Sequence, residues 1–344
     1  MSRRTLTLLL SGLLAALLTG AASAAPVPYV SYTPGPTFNT LGEVDGTPVI
    51  EVSGRETFPT EGNLDLTTIS VRPRLTLTDA LRDWFDRDRA VVPRELLYPP
   101  GESDDEVRRR NEERRLASES SATSAALRYL GVPFTTTVAV QGVEEGLPAA
   151  GLLEEGDVIT TVDGAAVTSS QELRDRISGR DPGSEVRLGY TRDGRPGEAV
   201  ITTAAPPSGE SRSVIGVLLV EEPDYPFDVD ISLEEVGGPS AGLMFALGII
   251  EKLEAESLTD GRYVAGTGEI STDGTVGPIG GIPQKLVAAR DKGAEVFLVP
   301  DANCEEALGR APEGLLLVRV STLTEAVDAL RTLREGGTPP TCGE

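Results

Sequence analysis

The fold of this chain is decided by three motifs between Val236 and Arg290: Gly237-Gly238-Pro239-Ser240-Ala241-Gly242, then Gly266-Thr267-Gly268-Glu269-Ile270, then Pro278-Ile279-Gly280-Gly281-Ile282-Pro283-Gln284-Lys285. The serine of the first motif follows a Gly/Pro turn and precedes an apolar run, which predicts a buried helix with Ser240 in its first turn. Free N–H groups at a helix start favour negative charge. The motif therefore predicts a nucleophile with an oxyanion hole built from backbone N–H groups of Gly238, Ser240 and Ala241.

The second decisive feature is that the chain contains no histidine. A Ser-His-Asp triad, a Cys-His pair and an H-E-x-x-H zinc site are therefore excluded within one chain. Lysine is the leading alternative base, because an ammonium desolvated in an apolar pocket can lose its proton near neutral pH. Only three lysines are present, Lys252, Lys285 and Lys292. We predict that Lys285 supplies a titratable amine that arginine cannot provide; the alternative is a coding bias that left a few lysines in the chain.

In letters and in order, the three motifs resemble the proteolytic domain of the Lon protease family, which uses a Ser-Lys dyad. The resemblance implies that Ser240 is the nucleophile, that Lys285 is the base and that the Thr267 hydroxyl hydrogen-bonds the lysine amine. It implies no metal and no cofactor. The chain departs from the family pattern at Gly237, where many Lon sequences carry an acidic residue.

Composition limits the classes of partner. The chain has 344 residues, of which 39% are hydrophobic, and a formal net charge of −23. This length can bury a sizeable core and predicts two or three domains. The negative charge argues against nucleic acid or anionic lipid as the main partner.

Residues 1–25 are a targeting or anchoring segment. Arg3 and Arg4 precede an uncharged run from Thr5 to Ala25, which ends in small residues before Pro26. This pattern fits a signal peptide cut near Ala24 or Ala25. The run is also long enough to span a bilayer as a retained anchor. Either alternative predicts an extracytoplasmic location for the rest of the chain, secreted or anchored to the cell membrane by a single N-terminal pass.

Residues 26–128 predict an α+β region. Strand patterns at 49–52 and 64–71 lead to a helix, and this order loosely resembles the start of a Lon proteolytic domain. We therefore predict that the region is the first part of the protease domain; the alternative is a separate small α+β unit. The charged segment from Ser103 to Arg128 predicts an exposed helix.

Residues 129–205 predict a compact module of short strands, turns and one helix. The sequence Gly156-Asp157-Val158-Ile159, with a turn at Asp163-Gly164, resembles bacterial PDZ domains, which add an extended peptide C-terminus to a sheet edge. The resemblance assigns peptide contacts to a loop and to a helix: Leu130, Gly131, Val132, Leu173 and Ile177. The alternative is that Leu173 and Ile177 are core residues, which two apolar residues at helical spacing more often are.

The expected architecture is therefore α+β, with an N-terminal hydrophobic segment, an inserted or preceding PDZ domain, a Lon-type proteolytic domain at 210–335 that includes a strand at 214–220, and a tail at 336–344. This order resembles membrane-associated PDZ-containing Lon-like proteases, which act on proteins or peptides; Lon-type domains commonly form hexamers. No lysine follows a glycine, so no Walker motif and no ATPase motor are expected. The competing hypothesis is a non-catalytic PDZ adaptor on a degenerate protease shell.

Two cysteines complete the set of candidate residues. Cys304 and Cys342 have no histidine to activate them as catalytic thiols. In an extracytoplasmic chain a single disulfide would pin the C-terminal tail. Two free thiols are the alternative.

Overall fold

A computed structural model describes residues 3–206, 212–233 and 236–343. The chain divides into two compact units. The first combines the residues up to Val132 with those from Phe227 onward, and the second is Pro133–Pro226. The second unit thus begins four residues after the boundary predicted at 129 and extends well beyond the one predicted at 205. The boundary predicted at 210 lies outside the described residues.

The chain begins with an apolar helix and continues into the first part of the larger unit. Its elements are α1 (Arg3–Ser23), β1 (Pro26–Val27), β2 (Tyr29–Asn39), β3 (Glu43–Val44), β4 (Thr47–Pro48), β5 (Ile50–Ser53), β6 (Asn63–Arg72), β7 (Leu75–Thr76), α2 (Leu77–Phe85), β8 (Ala90–Pro93), a 3-10 turn (Arg94–Leu96) and α3 (Asp104–Tyr129). Among the described residues, α1 is the one helix that is long and apolar enough to cross a membrane.

The second unit is a small sheet with one helix. It contains β9 (Thr135–Val143), β10 (Val158–Val162), β11 (Ala165–Ala166), α4 (Ser170–Ser178), β12 (Glu185–Arg192), β13 (Arg195–Thr202) and β14 (Val217–Asp224). Its strand order is β13-β12-β10-β9-β14, with β11 on β10. The strand predicted at 214–220 therefore belongs to this unit, and its assignment to the proteolytic domain was wrong, because β14 pairs with β9 along its whole length.

The larger unit is completed by the C-terminal part of the chain. Its elements are β15 (Asp228–Ile231), α5 (Gly242–Leu253), β16 (Tyr263–Gly266), β17 (Glu269–Ile270), β18 (Val276–Gly277), α6 (Ile282–Asp291), β19 (Val296–Pro300), a 3-10 turn (Asp301–Asn303), α7 (Cys304–Leu308), β20 (Leu316–Val320) and α8 (Leu323–Arg334). Mixed helices and strands confirm the predicted α+β class.

One six-stranded sheet joins the two parts of the larger unit. Its order is β20-β19-β16-β6-β2-β8. The junction is the parallel pair of β6 and β16, in which Asn63 lies opposite Tyr263 and Leu66 opposite Gly266. Residues before and after the second unit therefore build one sheet.

Helix α5 forms the centre of the larger unit. Nearly every residue from Gly242 to Leu253 is buried, because the sequence is apolar on all sides, the pattern of a core helix. Burying each large aliphatic or aromatic side chain contributes about 1.5–3 kcal/mol. The run after Ser240 therefore anchors the serine turn to a buried helix of the core.

Helix α3 is only partly the exposed helix that its charges predict. Ser103 caps its start with a capping box, and the charged first half is largely exposed. Its second half is buried, and includes Ala122, Ala126 and Leu127 at 0% exposure. The small and apolar residues of that half pack against α5.

The C-terminal tail is tied to the sheet. Cys304 and Cys342 form a disulfide with their Cα atoms 5.0 Å apart. The Cys342 N–H donates to the Leu317 carbonyl O at 3.2 Å. Cys304 itself packs in a core cluster with Phe297 and Ala307. The tail is thus fixed to the strands that support α6.

Candidate active site

Ser240 lies in the turn before α5, two residues ahead of the first helical residue, and not in the first helical turn as predicted. The carbonyl O of Ser240 accepts hydrogen bonds from Gly268 N and Thr267 Oγ1, both at 2.9 Å. Gly242 makes this tight turn possible, because a Cβ there would lie 2.7 Å from Ser118 Oγ and 2.8 Å from Ile270 Cγ2. The serine backbone is therefore held by the strand end that carries Thr267.

Lys285 projects from the first turn of α6. Gly281 caps the helix in a left-handed conformation, with φ of 76°, and a Cβ at this position would lie 2.7 Å from Ile69 Cγ2. Ile282 and Leu286 flank the lysine on the helix and are fully buried. The Gly-Gly-Ile-Pro turn thus directs the lysine side chain toward the core.

The structure brings the three predicted side chains together. Lys285 Nζ lies 2.9 Å from Ser240 Oγ and donates to Thr267 Oγ1 at 2.8 Å. Thr267 follows the last residue of β16, at the carboxyl end of a strand that pairs with parallel neighbours on both sides. The Thr267 hydroxyl uses its own proton on the Ser240 carbonyl O, so it can only accept from the amine. This arrangement fixes how the amine is oriented.

Burial controls the charge of the amine. Lys285 is 2% exposed, and burial lowers the pKa of Lys285 from 10.5 to about 7. No carboxylate contributes to this shift. A large fraction of the amine is therefore neutral at physiological pH, with a lone pair available to the serine hydroxyl.

The backbone N–H groups near Ser240 agree only in part with the predicted oxyanion hole. The Gly238 N–H donates to the Asn111 carbonyl O at 3.2 Å, so its prediction as an oxyanion donor is wrong for this conformation. Within the described parts of the chain, no hydrogen bond engages the N–H of Ser240 or Ala241. Asn111 belongs to helix α3, so the sequence motifs around Ser240 gave no indication of this contact. Ser118 Oγ of the same helix donates to the Pro239 carbonyl O at 3.0 Å.

An open cleft of about 580 Å³ leads to Ser240 and Lys285. Its lining includes Tyr32, Phe38 and Ile69 from β2 and β6. Arg110 and Arg114 of α3 also belong to the lining, although the charges of this helix predict that it is simply exposed. The cleft therefore gives a ligand access to the Ser240 hydroxyl.

A second cleft of about 750 Å³ lies within the smaller unit, between α4 and β14. Leu173 and Ile177 line it from α4, and Val217 and Leu219 line it from β14. Both α4 residues are also core, at 0% and 5% exposure. Two hydrogen bonds join the helix to the strand, because Ser170 N and Oγ donate to a Glu221 carboxylate oxygen at 2.7 and 2.8 Å.

The prediction that the loop at Leu130, Gly131 and Val132 contacts the peptide was wrong. Leu130, Gly131 and Val132 end helix α3 in the larger unit. Gly131 takes φ of 66°, and the Val132 N–H donates to the Leu127 carbonyl O at 2.9 Å, which is the geometry of a helix C-cap. The cleft is lined instead by the segment 214–217, and its Ile215-Gly216 pair was the signal available in the sequence.

Two family models match this chain. The PDZ domain model matches residues 109–203, and the model of the Lon protease (S16) C-terminal proteolytic domain matches residues 235–330. The second match contains Ser240, Thr267 and Lys285. The first match ends before β14.

Individual relatives match limited stretches of this chain. Lon protease 2 of Bacillus subtilis is 36% identical over 110 residues, which are 30% of this chain and 19% of that protein. The periplasmic pH-dependent serine endoprotease DegQ of Escherichia coli is 41% identical over 64 residues, 17% of this chain and 14% of that protein. The chain thus spans a small part of each relative's length.

Among solved structures, the PDZ domain of an SdrC-like protein from Listeria monocytogenes is 36% identical and matches 24% of this chain and 86% of its own. Its TM-score of 0.23 is too low to support a comparison of folds.

Proposed function

We propose that this chain, which combines a Lon-type proteolytic domain with a PDZ domain, is a serine endopeptidase with Ser240 as nucleophile and Lys285 as general base. The observation that carries the proposal is the 2.9 Å separation of Lys285 Nζ and Ser240 Oγ in a site where the amine is buried. A buried lysine without a carboxylate partner is costly to fold. A non-catalytic adaptor would gain nothing from burying such a lysine.

The proposed reaction follows from the proton positions. Neutral Lys285 takes the Ser240 hydroxyl proton as Oγ forms a bond to the peptide carbonyl carbon. The N–H groups of Ser240 and Ala241 stabilise the oxyanion. The lysine ammonium then gives its proton to the leaving amine as the C–N bond breaks. A water molecule, activated by the same amine, hydrolyses the acyl-enzyme and restores the hydroxyl.

Thr267 is a positioning residue in this scheme. A neutral amine has two N–H groups and one lone pair. Because the Thr267 hydroxyl accepts one N–H, rotation about the amine is restricted and the lone pair can point to Ser240. The same hydroxyl holds the Ser240 carbonyl O, so one side chain fixes both members of the dyad.

A serine-reactive fluorophosphonate tests the proposal directly. We expect the full chain in detergent micelles to become phosphonylated at Ser240, because only an activated hydroxyl displaces fluoride at a useful rate. Peptide mapping by mass spectrometry identifies the labelled residue. Ser240→Ala and denatured wild type serve as controls, and Ser271, an exposed serine nearby, reports background labelling. Equal labelling of Ser240 and Ser271 would favour the adaptor hypothesis.

The PDZ unit is proposed to bind the C-terminus of an extended peptide. Because β14 is the terminal strand of its sheet, a peptide can add to its outer edge in the groove beside α4. Segment 214–217 lies at the groove end where PDZ modules hold the carboxylate by backbone amides. Leu173 and Ile177 contribute the apolar floor of the groove and support its core at the same time.

Leu219→Glu should weaken peptide binding by about tenfold or more, since it puts a charge into the apolar groove. The matched control is Leu218→Glu on the same strand, because Leu218 is 53% exposed and does not line the groove. Fluorescence anisotropy with a library of labelled peptides carrying apolar C-termini measures affinity. Equal binding of free-acid and amidated peptides would contradict this mode of recognition.

Extracytoplasmic, ATP-independent action completes the proposal. The Cys304–Cys342 disulfide is typical of oxidising compartments. Helix α1 starts with two arginines and is exposed along its length, as expected for a segment that crosses or is translocated through a membrane. The sequence has no Gly-Lys pair for a Walker motif. Substrates would therefore be unfolded or flexible proteins.

A further inference from the structure

Helix α2 presents an apolar stripe to the outside of the larger unit. Leu77, Leu81, Trp84 and Phe85 fall at positions i, i+4, i+7 and i+8, which share one side of a helix. Their exposed fractions are 38%, 53%, 68% and 84%. Two of the four are aromatic, and Trp84 is the only tryptophan of the chain. The side of α2 that would normally be buried is therefore the side that is exposed.

The opposite side of α2 is polar and faces the protein. Asp83 is completely buried, and its carboxylate accepts from Arg89 Nη1 at 2.8 Å and Arg72 Nη1 at 3.2 Å. Asp79 closes a capping box with Thr76 at the helix start. Turning α2 about its axis would separate this buried carboxylate from both arginines, which is unfavourable. The two ion pairs therefore hold the rotation of α2 and keep the stripe outward.

The stripe begins where α1 ends. Leu77 N–H donates to the Ala25 carbonyl O at 2.9 Å, and Thr78 Oγ1 donates to the Ser23 carbonyl O at 2.8 Å. Strand β1, which follows α1, pairs with β7, which precedes α2. Two hydrogen bonds and a strand pair therefore fix the start of α2 to the end of the helix that is apolar enough to cross a membrane.

We propose that α2 lies in the lipid–water interface beside α1, with its apolar stripe inserted between the headgroups. Tryptophan is enriched at this depth, because its ring has both an apolar body and a polar N–H. An amphipathic helix in the interface buries its apolar side by about 5–10 Å. The formal charge of −23 makes attraction to anionic headgroups weak, so apolar insertion into a zwitterionic bilayer provides the binding energy. The catalytic unit is then held at a fixed orientation to the membrane.

The single tryptophan gives a direct test. The full chain is reconstituted into phosphatidylcholine vesicles with or without bromine atoms on the acyl chains near the headgroup. We expect brominated lipid to reduce Trp84 emission roughly twofold, because bromine quenches only at short range and an interfacial helix holds its indole at the depth of these bromine atoms. Aqueous acrylamide should quench Trp84 less in vesicles than in detergent-free, urea-unfolded protein. Insensitivity to bromine with full access to acrylamide would overturn the proposal.

Variants separate insertion from tethering by α1. Leu81→Ser combined with Phe85→Ser removes two of the four stripe residues but keeps Trp84 as the reporter, and should abolish quenching by brominated lipid. Leu308→Ser is the matched control, because Leu308 is a similarly exposed leucine, at 49%, on another helix. Circular dichroism establishes that each variant is folded. The alternative is that a second copy of the chain covers the stripe. Trp84 would then be shielded from both acrylamide and bromine, and the shielding would depend on the protein density in the vesicle. That result would contradict the proposal.

Discussion

Replacement of Lys285 by methionine is expected to abolish peptide cleavage and to make the folded protein more stable. Loss of the general base should lower the rate by about 10⁴-fold. The stability gain has a separate cause, since burial lowers the pKa of Lys285 from 10.5 to about 7. That difference corresponds to roughly 5 kcal/mol against the charged amine. Methionine fills a similar volume without charge and should recover at least about 2 kcal/mol.

Proton linkage determines how the stability gain depends on pH. Between the folded value of about 7 and the unfolded value of 10.5, the unfolded chain binds a proton that the folded chain has released. Wild-type stability therefore rises with pH across this window, and the cost of the lysine is complete below about pH 7. The advantage of the methionine variant should be largest at neutral pH and shrink as the solution becomes alkaline.

Thermal unfolding and release of peptides from casein measure the two effects on the same preparations. Lys252→Met is the matched control, because Lys252 is only half-buried on α5 and lies outside the cleft. It should leave cleavage unchanged. A Lys285→Met variant that cleaves casein at the wild-type rate would refute the dyad. A variant that is inactive but clearly less stable would show that the lysine is held by a partner rather than merely buried.

The rate of Ser240 phosphonylation should fall about tenfold for each pH unit below about 7, since only the neutral amine accepts the serine proton. Above about pH 8 the rate should level off, because Lys285, with its pKa lowered to about 7, is then mostly neutral. A neutral fluorophosphonate has no titrating group, so the probe adds no pH dependence of its own to this acidic limb of the rate profile. Rates are measured by quenching samples at intervals and counting labelled Ser240 by mass spectrometry.

Glu269 provides the control for the pH profile. Its side chain is exposed and lines the same cleft, so replacing it changes the charge of the cleft without altering the Ser240–Lys285 pair. Glu269→Gln should leave the limb in place. If the limb disappears in that variant, or if wild type reacts equally fast at pH 5 and pH 8, the lysine is not the group that titrates.

The sequence was sufficient to single out Ser240 and Lys285 as a pair because each lies in a local motif with strong backbone demands. Gly242 has no room for a side chain between Ser118 and Ile270, and Gly281 must adopt a left-handed conformation to start α6. The apolar run after Ser240 predicts a buried helix from local pattern alone. Local sequence was therefore enough to predict where these features place Ser240, Thr267 and Lys285.

Features that depend on distant segments could not be read in this way. Leu130-Gly131 looks like a binding loop, but the same letters end a helix, and only the pairing of β14 with β9 shows where the groove closes. The Gly238 N–H was predicted to be free, but it donates to the Asn111 carbonyl O of α3. The outward stripe of α2 was also hidden, because helical periodicity identifies an apolar side without saying which way it points.

The connectivity of the six-stranded sheet has a consequence for biosynthesis. Strands β2 and β6 leave the ribosome early, but β16 and β19, which place Thr267 and support the lysine helix, are made after the whole of the smaller unit. A nascent chain that ends just before β16 has Ser240 but neither Thr267 nor Lys285, and one that ends just before β19 has all three but lacks a strand that pairs with β16. In the proposed mechanism, Ser240 therefore stays without its activating partners until residues well beyond the smaller unit have been made.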